Sequence, residues 1–112
     1  MWLFTRQGFY SIISKGENEW HVRARARKDL DNLNRLARTD YTIHRSEGAD
    51  YRWRMVVPGG EARALIGKLA EDIDYSNFKG VVARTTGQED KLDILHEIWS
   101  LMYRYQSERE SQ

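Results

Sequence analysis

Residues 19–26, EWHVRARA, alternate without a break: Trp20, Val22, Ala24 and Ala26 fall on one side, and His21, Arg23 and Arg25 on the other. A period of two belongs to a strand with one face buried and one wet. From Lys28 the period changes. Leu30, Leu33, Leu36 and Ala37 recur at helical spacing, and Asp29 and Asp31 stand near the start, where acids suit the helix dipole. A half-buried strand running straight into an amphipathic helix over 28–38 points to an α+β chain with helices laid on one face of a sheet.

The remaining segments extend this plan. The apolar run Trp2 to Ser14 is broken at Gln7-Gly8, which predicts a short strand at 2–5 and a firmer one at 8–14. Lys15-Gly16-Glu17-Asn18 then turns the chain into the strand at 19–26, making a hairpin. Runs 41–45 and 49–57 are rich in β-formers around Ser46-Glu47-Gly48, a second hairpin, which Pro58-Gly59-Gly60 ends. From Glu61, Ala62, Leu65, Ile66, Leu69 and Ile73 form a helical stripe that stops near Asp74. Residues 75–88 carry mixed signals, compatible with a short helix, a strand or an ordered loop. Residues 89–106 give a further helix, with Leu92, Leu95, Ile98, Trp99, Met102 and Tyr105 on its apolar side and Glu89, Asp90 and Asp93 at its start. Residues 107–112 read as a frayed polar tail.

The expected order is ββαββα plus a C-terminal helix, in a single domain over 1–106. The strand at 19–26 lies beside that at 49–57, in a four-stranded, mostly antiparallel sheet. This is a ferredoxin-like layout entered at a shifted point. Trp20, Val22, Trp53, Met55, Leu65, Leu69 and Trp99 are the expected core. The opposite face of the sheet stays open unless the last helix or a partner covers it.

The 112 residues are 40% hydrophobic with four Trp and six Tyr, a content suited to a folded core and foreign to disordered chains. The absence of cysteine removes disulfide frameworks, thiolate zinc sites and cysteine nucleophiles, and fits a cytoplasmic protein. The first residues have no basic leader before their apolar run and read as strands, not as a signal peptide. No apolar stretch approaches the roughly 20 residues of a membrane span. No motif calls for a cofactor.

The segments MWLFT..GFYS at the start, VRARA.KDLDNL after it, DIDYSNFK at Asp72 to Lys79 and LHEIWSLMY at Leu95 to Tyr103 together resemble a family of short uncharacterised bacterial proteins. The resemblance covers nearly the whole chain and implies a bacterial, cytosolic, stand-alone domain. It implies no activity and no residue roles.

The net charge of +1 conceals an uneven distribution. His21, Arg23 and Arg25 share one face of their strand. On the neighbouring strand Arg52 and Arg54 share a face opposite Tyr51, Trp53 and Met55. If the apolar sets face the helices, the basic groups point outward together, while the acids collect in the helices and their caps. Like charges directly opposed on a sheet destabilise it, so such a cluster calls for counter-charges or an anion. Guanidinium groups suit bidentate phosphate contacts and stacking on bases. The blander reading is a solvated face whose arginines pair with Glu17, Glu19, Glu47 and Asp50, or bury their stems. Tyr10 and His44 are the only candidates for base stacking on that face.

Other constellations are weaker. Glu71, Asp72 and Asp74, with Tyr75, Asn77 and Lys79, offer oxygen ligands to a divalent cation but match no known loop spacing. His96-Glu97 lacks the second histidine of a zinc-protease helix, and His21, His44 and His96 lie on different elements. Pro58-Gly59-Gly60 precedes a helix whose first amides suit an anion. Trp2, near the terminus, suits an interface. The expected function is a non-enzymatic binding module that uses the basic sheet face for an anionic partner such as nucleic acid. Alternatives are a protein-interaction or homodimerisation module using that face or a sheet edge, and a small enzyme around Asp72, Asp74 and His96.

Overall fold

The computed structural model describes residues 1–111, which form two units, residues 1–74 and residues 75 onward. In the first unit, Trp2 to Ser14 is two strands, β1 (Trp2–Phe4) and β2 (Phe9–Ser14). β3 (Trp20–Ala24), α1 (Arg27–Ala37), β4 (His44–Arg45), β5 (Trp53–Val57) and α2 (Gly59–Glu71) follow. The strands form one antiparallel sheet in the order β1-β2-β3-β5-β4.

The sheet therefore has five strands, not the four expected from sequence. Gln7-Gly8 is a full reversal, not an interruption: Thr5 and Gly8 exchange both backbone hydrogen bonds, at 2.9 and 3.2 Å. Gly8 is needed there because α1 lies against it. A Cβ on Gly8 would stand 2.4 Å from Asp29 Cγ.

The second hairpin is shorter than its β-rich sequence suggests. Residues 46–52 are spent on a turn in which the Ser46 amide donates to the Arg52 carbonyl at 2.8 Å, and Gly48 takes φ 78°. Paired strand is left only at 44–45 and 53–57.

The alternation read in the sequence holds along β3 and β5. Tyr10, Ile12, Val22, Ala24, Met55 and Val57 point from the sheet onto Leu30 and Leu33 of α1 and Ala62, Leu65 and Leu69 of α2, and together make the core. Trp20 and Trp53, expected inside it, are half-buried at its edge. Cations cover their rings: Arg63 sits 4.8 Å from the Trp20 ring centroid, and Arg27 and Arg45 sit 5.6 and 5.3 Å from that of Trp53.

Asp29 joins helix to sheet although it is a buried acid. Its Oδ2 accepts the Phe9 amide at 3.1 Å, and its backbone carbonyl accepts the Tyr10 hydroxyl at 2.6 Å. Burial pushes the Tyr10 phenol well above its ordinary range, so it stays a neutral donor.

In the second unit, Asn77 Oδ1 accepts the Gly80 amide at 3.0 Å and starts α3 (Phe78–Arg84), so the ambiguous stretch 75–88 contains a short capped helix between two irregular ends. A 3₁₀ turn over Glu89–Lys91 leads into α4 (Leu92–Glu110). Val81, Val82, Gln88 and Leu95 are buried. Trp99, expected in the core, is 53% exposed. The helix also passes the end expected at 106 and runs to Glu110, past an i,i+4 pair of Arg104 with Glu108 at 3.7 Å. Of the tail expected at 107–112, residue 112 lies outside the described residues.

Candidate functional site

Strand register builds a continuous surface on the side of the sheet away from α1 and α2. Trp2 pairs with Ser11, Ser11 with Arg23, Arg23 with Arg54, and Arg54 with His44. Because directly paired residues project to the same face, these five side chains form one row across all five strands. Phe4 and Phe9 pair in the adjoining row, with rings stacked at 4.4 Å, and Trp2 meets Phe9 edge-on at 5.9 Å. Ile13, His21 and Val56 form the row on the other side.

The basic residues expected to share this face divide into two sets. Arg23 and Arg54 stand directly opposite each other. Arg23 donates from Nη2 to Ser11 Oγ at 2.6 Å and from Nε to the Ser11 carbonyl at 3.4 Å. Arg54 Nη1 lies 3.0 Å from His21 Nδ1, while His21 Nε2 lies 3.0 Å from Glu19 Oε2. A guanidinium can only donate, so Nδ1 is the acceptor and Nε2 carries the proton toward Glu19. His21, taken as an outward group, is only 8% exposed because this chain encloses it. Arg25 is exposed and donates to the Asp50 carbonyl at 2.7 Å. Arg52 stands apart, 4.0 Å from Glu47, which also pairs with Arg45.

Tyr51 belongs to the basic side, contrary to its expected place beside Trp53 and Met55. It precedes the first residue of β5, where the chain still bends, so strand alternation does not extend to it. Its ring is sandwiched between two guanidiniums, Arg23 at 4.5 Å and Arg25 at 4.3 Å from the centroid, and lies 6.4 Å from Phe9. Only 4% of Tyr51 is exposed. The sandwich holds both arginines in place without neutralising them.

Among the described residues, Arg23, Arg25 and Arg54 have no carboxylate partner. Arg54 Nε is buried and makes no hydrogen bond. A buried guanidinium N–H without an acceptor is costly, and it sets Arg54 apart from a freely solvated surface arginine.

The aromatic part of the face is not the one anticipated. Tyr10 points into the core, whereas His44 does lie in the row beside Arg54. Trp2, Phe4 and Phe9 supply the rings instead, and Trp2 is 67% exposed. The signal was present in the sequence, since positions 2 and 4 and positions 9 and 11 alternate. It needed the β1–β2 register to be read.

The acidic run has a structural use. Arg6 grips Asp72 with Nε at 2.9 Å and Nη2 at 3.0 Å, and Asp74 with Nη1 at 2.8 Å; Gln7 adds a fourth bond to Asp72 at 2.9 Å. The Arg6 guanidinium holds the Asp72 carboxyl below its usual range, with help from Gln7. Glu71 pairs with Lys68. Among the described residues, no three acidic or imidazole groups gather as a metal ion requires. His96 stands in the second unit with Nδ1 3.3 Å from Lys79 Nζ. The Gly59 amide, suited in sequence to an anion, donates to the Glu17 carbonyl at 3.2 Å.

No family model matches the chain, and neither a curated protein nor a solved structure matches it. Among the described residues, no helix is long and apolar enough to cross a membrane.

Proposed function

We propose that this protein is a non-enzymatic binding module that takes single-stranded nucleic acid on the open face of its sheet. The row Trp2, Ser11, Arg23, Arg54, His44 carries the reading, because it sets an exposed ring and two carboxylate-free guanidiniums side by side. Single-strand binders combine a positive track for phosphates with rings on which bases stack. RNA-recognition sheets likewise present aromatics from neighbouring strands. Here phosphates sit over Arg23, Arg25 and Arg54, and bases stack on Trp2 and the Phe4–Phe9 pair. A chain without cysteine fits a cytoplasmic site for this activity.

The test is a titration of labelled single- and double-stranded oligonucleotides of equal length at low salt. Single strands are expected to bind more tightly, because a duplex keeps its bases stacked away from the protein. Trp2→Ala is expected to weaken single-strand binding by about 1–3 kcal/mol, the worth of one stacked base, and to leave duplex binding nearly unchanged. No binding of single strands by wild type, or equal loss on both substrates with Trp2→Ala, contradicts the reading.

A further inference from the structure

Arg23 and Arg54 concentrate charge at one point of the sheet face instead of spreading it along a track. They are direct cross-strand partners, so their side chains leave the sheet about 5 Å apart. Bonds within the chain occupy Nε and Nη2 of Arg23 and Nη1 of Arg54. Among the described residues, Arg23 Nη1 and Arg54 Nη2 make no hydrogen bond and, unlike Arg54 Nε, are not sealed from solvent. His44, exposed and paired with Arg54, adds a third donor. One phosphodiester, with a single negative charge, leaves two opposed guanidiniums unbalanced. A phosphomonoester carries about −1.5 to −2 at pH 7 and three acceptor oxygens, and each guanidinium fork takes two oxygens at once.

The surroundings make the pair an end point. Toward the start of β3, the next polar groups are His21 and Glu19, a carboxylate with its side chain 56% exposed. Toward the β4–β5 turn, Arg45 and Arg52 share Glu47. Beyond His44 the sheet stops, because β4 is an edge strand of two residues. The remaining approach comes from the rings on β1 and β2. On that side stands Arg25, whose guanidinium covers Tyr51, and the Tyr51 ring is 6.4 Å from Phe9. A single strand stacked on the rings therefore has cations under its phosphates as far as Arg23 and Arg54, and no carboxylate-free cation past them. We infer that this pair takes the terminal phosphate of the strand, so that the protein recognises phosphorylated single-strand ends. The assignment rests on the single-strand reading of the sheet face.

The experiment is a calorimetric titration of the full chain at fixed salt with short single strands carrying a 5′ phosphate, a 3′ phosphate or neither, and with a nucleoside monophosphate alone. One phosphorylated end is expected to raise affinity at least about tenfold over the unphosphorylated strand. The monophosphate is expected to bind more weakly than that strand, because the rings of β1 lie two strands, about 10 Å, from Arg23. Arg23→Lys with Arg54→Lys keeps both charges and loses both forks. With folding checked by circular dichroism, it is expected to remove most of the gain and to leave the unphosphorylated strand bound nearly as before. Arg23→Lys alone, which leaves the Arg54–His21 bond in place, is expected to remove part of the gain and serves if the double variant does not fold. Equal affinity with and without an end phosphate overturns this inference and leaves the single-strand reading standing, whereas binding of no strand at all overturns both. A monophosphate that binds as tightly as the phosphorylated strand, or a gain that persists in the folded lysine variants, also overturns the inference.

Discussion

Gly8 and Asp29 depend on each other. The helix start comes so close to the β1–β2 turn that a methyl group on Gly8 would overlap the Asp29 side chain at 2.4 to 2.7 Å. Asp29 cannot withdraw without giving up the Phe9 amide. Gly8→Ala is therefore expected to cost about 2 kcal/mol or more, as overpacking a rigid site does, and chemical denaturation measures it. Asp72 gives a residue-scale prediction with a pH axis. Its folded pKa lies below the unfolded value because the charged form is held by Arg6 and Gln7. The stability it contributes is complete above the ordinary carboxylate range and is lost as pH falls through the lowered folded value. Asp72→Asn is expected to reduce stability at neutral pH by about 1 kcal/mol and to flatten the loss of stability on acidification. Equal acid sensitivity of wild type and variant, measured by denaturation from pH 7 downward, would remove Asp72 from that role.

Among the elements, α2 and β3 were the easiest to read, and for the same reason. Each has one face in the core, so the period of its apolar residues matches its geometry at every position. Leu69 sits in that core at 5% exposure, and Leu69→Ala is expected to cost about 2–5 kcal/mol in equilibrium unfolding. Elements whose neighbours lie outside the pattern were harder. The stripe of α4 was legible, but not that only its first turn is buried, because a stripe shows which side is apolar and not what covers it. Alternation assigns Tyr51 to the face of Trp53 and Met55, but Tyr51 lies two residues before β5 begins, where the period of two does not hold. The short β1 segment reads as a strand, but its place as a fifth strand depends on the Thr5–Gly8 reversal, and the close approach that makes Gly8 necessary there comes from Asp29, 21 residues away in sequence.

For the whole molecule, the legible part of the candidate site is the basic half. Arg23 and Arg54 were placed on one face by alternation alone, and their direct pairing follows once β3 lies beside β5. The aromatic half needed register across three strands, which no local pattern contains. The proposed function stands or falls on Arg23 and Arg54 holding phosphates. The most direct measurement is the slope of log affinity against log salt for a short single-stranded oligonucleotide, taken for wild type and for Arg23→Gln with Arg54→Gln. The exchange relieves two opposed like charges but also removes the Arg23–Ser11 and Arg54–His21 hydrogen bonds, so circular dichroism first establishes that the variant is folded. Each phosphate contact on a single strand contributes about 0.7 to the slope, so the account predicts a variant that binds more weakly with a slope shallower by about 1.4. An unchanged slope in a folded variant would contradict it.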